Sequence, residues 1–165
     1  MGDLEDGSDK IEIAGMRTMN KDGKSFQRYI EDWTIYVSWD QLFADIGPAL
    51  INEASETKIK SIISRFNSWD HYRDDDTCAD AELSLESWNE IMIQLRALGY
   101  MVPGTKKRAV ADRASYWKIT ARGDQHLVSL LARRKKTSGS SSAIYAVSRP
   151  DGIQEGTEAP PQIAP

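Results

Sequence analysis

The chain has 165 residues, 40% of them hydrophobic and 28% charged, with a single cysteine and a formal net charge of −4. A chain of this size hides about two thirds of its unfolded surface without staples, and one cysteine rules out both a disulfide framework and a thiolate zinc cage. Its longest apolar runs, such as Ile91-Met92-Ile93, fall far short of the roughly 20 residues of a membrane-spanning helix, and the acidic start Met1-Gly2-Asp3-Leu4-Glu5-Asp6 carries neither a secretion nor a myristoylation signal, so a cytoplasmic protein is expected.

Residues 1–9 are acidic and residues 137–165 are rich in Ser, Gly, Ala and Pro. Neither stretch holds enough large apolar groups to offset its ordering entropy, so both are expected to be disordered. Between them, Ile11 and Ile13 alternate briefly before a polar stretch with Phe26, Tyr29 and Ile30, a pattern that assigns no element. Residues 1–32 therefore read as a partly disordered extension of a domain over 33–136, with a tail over 137–165.

The domain opens where Trp33, Ile35 and Val37 alternate with polar neighbours, the period of a half-buried strand. Ser38 and Gln41 form a capping box for a first helix with Trp39, Leu42, Phe43, Ile46 and Leu50 on its inner face; Gly47 and Pro48 are expected to kink or restart it. Ser55 caps a second helix with an Ile59, Ile62, Ile63 and Phe66 stripe and an exposed Glu56–Lys60 pair, ending near Asn67. Ser84 starts a third, with Leu85, Trp88, Ile91, Met92, Leu95 and Leu98 inward, and Gly99 stops it. Short strands near Tyr100–Val102 and Tyr116–Ile119 flank a polar loop opened by Pro103-Gly104. Thr120 then caps a fourth helix whose inner stripe is Leu127, Leu130 and Leu131. The expected fold class is mainly α with a small β-hairpin, an α+β chain.

Charge is sorted along this order. Residues 1–32 hold 5 basic and 8 acidic side chains, residues 33–100 hold 5 and 12, and residues 101–136 hold 10 and 2. The molecule is dipolar, and a polyanion would meet the hairpin and the last helix first. Arg133-Arg134-Lys135-Lys136 also suits the negative end of a helix dipole, but that does not account for Lys106, Lys107, Arg108, Arg113, Lys118 and Arg122.

Three helices, a hairpin and a further helix are laid out as in a winged helix-turn-helix domain. Tyr116-Trp117-Lys118-Ile119-Thr120-Ala121-Arg122-Gly123 resembles the aromatic-x-Leu/Ile-Thr-x-x-Gly signature that joins wing to last helix in regulators of the MarR and PadR families. Ile93 to Tyr100, a helix closing on Leu-Gly-aromatic, is similar to what precedes the wing there. Trp39-Asp40-Gln41-Leu42-Phe43 and Ile46-Gly47-Pro48 resemble the winged-helix-like segment of an uncharacterised family of bacterial and phage proteins. The resemblance covers about Trp33 to Lys136 and implies DNA binding and transcription regulation. Two departures count against direct transfer. Residues 68–83 replace the tight turn between second and third helices with a loop carrying Asp70, Asp74, Asp75, Asp76, Asp80 and Glu82. The third helix, which reads the major groove in such domains, points Glu86, Asn89, Glu90, Ile93 and Gln94 outward, and acidic groups there are costly beside phosphates.

Other chemistry finds little footing. Counted from Asp74, an EF-hand loop lacks its Gly and its bidentate Glu, zinc would have only Cys78, His71 and the distant His126, and aspartates beside Cys78 disfavour a thiolate. No phosphate-binding loop, dinucleotide turn, nucleophile elbow or zinc-protease helix occurs, so no enzyme, cofactor, metal or catalytic residue is expected. The leading expectation is a nucleic-acid-binding module, for DNA, whose wing tracks phosphates through Lys106, Lys107, Arg108 and Arg113, helped by Lys118 and Arg122. The alternative is a protein-interaction module that offers Asp74, Asp75, Asp76, Glu86 and Glu90 to a basic protein partner. No sustained heptad specifies an oligomeric state.

Overall fold

A computed structural model describes residues 2–134 of the chain. Its first element is a strand, β1 (Lys10–Asn20), in which Ile11, Ile13, Gly15, Arg17 and Met19 all point inward. Gly15 and Arg17 break the apolar alternation that would have announced it. A turn at Lys21–Gly23, with left-handed Asp22 (φ 50°) and Gly23 (φ 67°), leads into β2 (Arg28–Ser38). The two strands pair antiparallel along their whole length, from Lys10 opposite Ser38 to Asn20 opposite Arg28. On the other side of β1 lies β4 (Thr77–Leu83), also antiparallel, with an irregularity between Thr18 and Met19 that leaves Ala79 without a partner. The order of this first sheet is β2-β1-β4.

Among the described residues four helices and a second sheet follow: α1 (Trp39–Leu50), β3 (Ala54–Ser55), α2 (Glu56–Ser64) with a 3₁₀ turn over Arg65–Trp69, α3 (Leu85–Ala97), β5 (Met101–Pro103), β6 (Tyr116–Ile119) and α4 (Ala121–Leu131). The second sheet has the order β3-β6-β5, antiparallel throughout. Each helix begins where a hydroxyl meets a free amide: Ser38 accepts from Gln41, Ser55 from Lys58, Ser84 from Ser87 and Thr120 from Gly123. Such a cap is worth about 1 kcal/mol. Left-handed Gly99 (φ 74°) ends α3. Gly123 permits close approach of α4, because a Cβ there would sit 2.2 Å from the Tyr100 carbonyl oxygen. One core joins the inner face of the first sheet (Ile11, Ile13, Trp33, Ile35) to the helices (Phe43, Ile46, Ile63, Ile91, Leu95).

Several expectations are corrected. The chain is not mainly α: 40% of the described residues are helical and 29% are in strands, in two sheets. Lys10–Asn20 is the central strand of a sheet, so the ordered part begins well before residue 33, and half of the expected 68–83 loop is β4. Residues ahead of β1 are tied down by Asp40 N–H donating to the Gly7 carbonyl (2.9 Å) and Trp39 N–H to that of Asp9 (3.1 Å). The first helix runs on through Pro48, which forgoes the one N–H bond to the Ala44 carbonyl without ending the helix. Leu85 and Leu131 face solvent. Glu56 and Lys60 do not pair with each other; Glu56 accepts from the Trp117 indole (3.3 Å) and Lys60 lies over the Trp88 ring. Residues through Ala132 form one unit. The expected tail, 137–165, and Lys135-Lys136 lie outside the described residues.

Candidate functional site

The hairpin loop between β5 and β6 is held from beneath. Glu53, in the turn that links α1 to β3, adopts a left-handed backbone (φ 60°). That conformation sends its side chain under the loop, where it is 4% exposed. One carboxylate oxygen accepts from the backbone amides of Thr105 (2.7 Å) and Lys106 (3.0 Å), and the other binds the Arg108 guanidinium at 2.9 Å. Burial pushes the Glu53 pKa up, but these three donors outweigh it and hold it below the usual carboxylate value. Arg108 in turn stacks on Tyr116 at 3.7 Å. The Tyr116 hydroxyl donates to Asp112 (2.9 Å), whose carboxylate also caps the Ala114 amide (3.0 Å). Those two donors lower the Asp112 pKa, and the bond to Asp112 raises that of Tyr116.

The expected wing cations therefore divide. Lys106, Lys107, Arg108, Arg113 and Lys118 do share the hairpin, but Arg108 is neutralised by Glu53 and belongs to the scaffold. The Lys106 ammonium donates to the Asn52 carbonyl (2.9 Å) and that of Lys118 to the Thr105 hydroxyl (3.0 Å), both uncharged acceptors. Lys107 and Arg113 are exposed, and among the described residues no carboxylate lies within 4.0 Å of either. Arg122 is not part of this group: on the first turn of α4 it borders a recess shared with Asp3 and Asp6 of the N-terminal segment.

The acidic candidates divide as well. Asp76 is turned inward, accepting from the Tyr29 hydroxyl and, at 2.8 Å, from the Asp22 amide. These bonds hold its pKa down and push the Tyr29 phenol up to about 12. It clamps the turn before β4 to the β1–β2 hairpin and is not available to a partner. Asp74 and Asp75 remain exposed in that turn, bordered by Lys21 and Arg73. Glu86 and Glu90 stand at the far end of β4, and a seven-residue strand spans roughly 20 Å. Asp80 and Glu82 fill the interval on the outer face of β4, opposite Thr18 and Met16. With these two, Asp74, Asp75, Asp80, Glu82, Glu86 and Glu90 form an exposed acidic band, and Lys60 and Arg65 line a recess together with Asp80 and Glu82. In the sequence Asp80 and Glu82 belong to the same acidic stretch but to a loop of undefined direction; β4 is what sets them on one face.

The band ends on a helix whose start is pinned. Ser84 N–H donates to the Ala14 carbonyl (2.9 Å), and Ala14 N–H donates to the Ser87 hydroxyl (3.0 Å). The first turn of α3 is thereby docked on the first sheet, beside Glu82. Outward it presents Leu85 (70% exposed) and Ile93 (65%), with Glu86, Asn89 and Glu90 between them. Two apolar groups two turns apart among carboxylates make an amphipathic surface without a partner among the described residues.

Elsewhere, His126 Nε2 lies 2.8 Å from the Asp40 carboxylate and its ring stacks on Tyr100, so it packs as a structural group. The Cys78 thiol donates to the Asp80 carbonyl. Among the described residues no three His, Cys, Asp or Glu side chains are grouped to hold a metal ion, and no helix is long and apolar enough to cross a membrane. No protein-family model, curated protein or solved structure matches the chain.

Proposed function

We propose that this chain is a cytoplasmic interaction module, related to winged-helix domains, that binds a basic protein partner along the acidic band and the outer face of α3. The order α1, α2, α3, β5, β6, α4 and the Thr120-to-Gly123 junction support the winged-helix relation, with β1, β2 and β4 as an added sheet. The observation that carries the reading is the docking of α3 on that sheet. To read a major groove, the first turn of α3 would have to enter it, and it would take Glu82, Glu86 and Glu90 against the phosphates, with Arg96 in the last turn as the one basic residue of α3 to offset them. The same surface suits a partner of opposite sign: Leu85 and Ile93 supply apolar anchors, and the carboxylates around them supply orientation and a fast encounter. The test is an NMR titration of the labelled chain with a synthetic amphipathic lysine–leucine helix. Perturbed amides confined to β4 and the outer face of α3 support the reading, and perturbations confined to the wing oppose it.

One observation favours a second reading. The Glu53 clamp holds a hairpin that presents Lys106, Lys107 and Arg113 on its loop and Lys118 on β6, which suits wing-led, sequence-independent contact with DNA. Four such contacts give a slope of log affinity against log salt of about −3.6, and Arg108 and Arg122 contribute nothing to it.

A further inference from the structure

The first sheet has two edges, and they are not alike. β4 is seven residues long, interrupted at Ala79, and its edge side is lined by α2 residues such as Ser61 and Ser64. Bulges and short length are common ways of blunting an edge. β2 is eleven residues long, regular, and among the described residues paired only with β1.

The phase of the β1–β2 ladder shows which groups β2 leaves free. Trp39 N–H donates to the Asp9 carbonyl and Lys21 N–H to that of Gln27, one at each end of an uninterrupted register. Hydrogen-bonded pairs alternate along an antiparallel ladder, so the odd-numbered residues of β2, Tyr29 through Val37, bond to β1. The N–H and C=O groups of Ile30, Asp32, Thr34 and Tyr36 point away from the sheet. Ile30 (68% exposed) and Tyr36 (63%) also hold apolar side chains on the outer face, beyond the Tyr36 hydroxyl that reaches Glu12.

We infer that this edge pairs with the same edge of a second copy, antiparallel about a two-fold axis at Trp33, to make a continuous six-stranded sheet. The occupant follows from self-complementarity. Only even-numbered residues face outward, so an antiparallel two-fold pair can be centred on few positions. Centring on Asp32 sets that carboxylate against itself, and centring on Thr34 places Ile30 opposite Ser38 and Asp32 opposite Tyr36. Centring on Trp33 sets Ile30 opposite Tyr36 twice and Asp32 opposite Thr34 twice, with no like charges directly opposed. That register covers both exposed apolar groups and satisfies the free backbone groups together. A contact of one strand and its flanks is smaller than a standard interface, so the dimer is a weak one.

The test is sedimentation velocity of the full chain, under reducing conditions, from micromolar to submillimolar concentration. The expected result is a concentration-dependent monomer–dimer equilibrium. Ile30→Glu weakens it by roughly tenfold, since two cross-strand pairs are lost, and the Ile30→Glu/Tyr36→Lys double variant restores it, because each glutamate then faces the other copy's lysine. Circular dichroism checks that the variants fold. Hydrogen exchange on the unsubstituted chain needs no variant: the amides of Ile30, Asp32, Thr34 and Tyr36 gain protection as concentration rises. A chain that stays monomeric throughout, or a dimer indifferent to Ile30→Glu with concentration-dependent protection elsewhere, overturns the inference.

Discussion

Arg17 is the residue on which the packing of the added sheet against the helical part turns. It stands at an inward position of β1, its side chain 3% exposed. Its guanidinium bonds the Glu31 carboxylate through Nε and an Nη (both 2.8 Å) and the carbonyls of Asn67 (2.9 Å) and Asp70 (3.0 Å) through the other Nη, with the Asp70 carboxylate at 3.4 Å and the Tyr72 ring at 4.8 Å. Replacing it with Met keeps an unbranched apolar stem as far as the Nε position and removes every one of these bonds. Glu31 and Asp70 are about one third exposed and regain water, whereas the buried Asn67 carbonyl does not. An unsatisfied buried group costs about 1–3 kcal/mol, and breaking a buried charged network from one side costs about 3–5 kcal/mol in all. For a domain of this size that is a drop in Tm of about 10–20 °C. Urea denaturation followed by tryptophan fluorescence reads it directly, with an unchanged slope showing that the cooperative unit is the same. A loss below about 1 kcal/mol, the range of a surface pair, would refute the assignment of Arg17 as the keystone between sheet and helices.

Two further outcomes follow from the same contacts. Because the Glu53 pKa is lowered on folding, its contribution is present above the ordinary value of 4.5 and is lost as pH falls through the folded value; amide protection at Thr105 and Lys106 should therefore persist at pH 5 and fail only in stronger acid, and Glu53→Gln should lower it at neutral pH. Gly15→Ala places a Cβ 1.9 Å from the Glu82 carbonyl oxygen and should cost more than Gly47→Ala, whose Cβ meets only the movable Leu127 side chain at 2.7 Å; equal losses in thermal melts would contradict the β1–β4 packing.

The helices were legible because each carries its own start and stop. Ser38, Ser55, Ser84 and Thr120 cap them and Gly99 ends one, all local effects within four residues. The first sheet was not, because its pairing is set by distant partners. β1 carries Gly15 where Trp33 lies close beneath it and Arg17 where two loop carbonyls need a donor. β4, Thr-Cys-Ala-Asp-Ala-Glu-Leu, has little strand propensity of its own and is a strand because β1 offers it an edge. The wing cations were found by composition alone, but which of them are free depends on Glu53, more than fifty residues before Arg108. Only its position just after a helix, in a left-handed turn, hints at its role, and Asn-Glu-Ala does not announce such a turn.

The proposal that the partner surface is β4 and α3, and not the wing, is tested most directly by fluorescence anisotropy of a labelled lysine–leucine amphipathic peptide, beside a labelled random duplex, at low and near-physiological salt. The account predicts saturable peptide binding that survives near-physiological salt, is lost in Glu86→Lys/Glu90→Lys and is unaffected by Lys107→Ala/Arg113→Ala. Duplex binding that Lys107→Ala/Arg113→Ala abolishes, with no peptide binding by the unsubstituted chain, would contradict it.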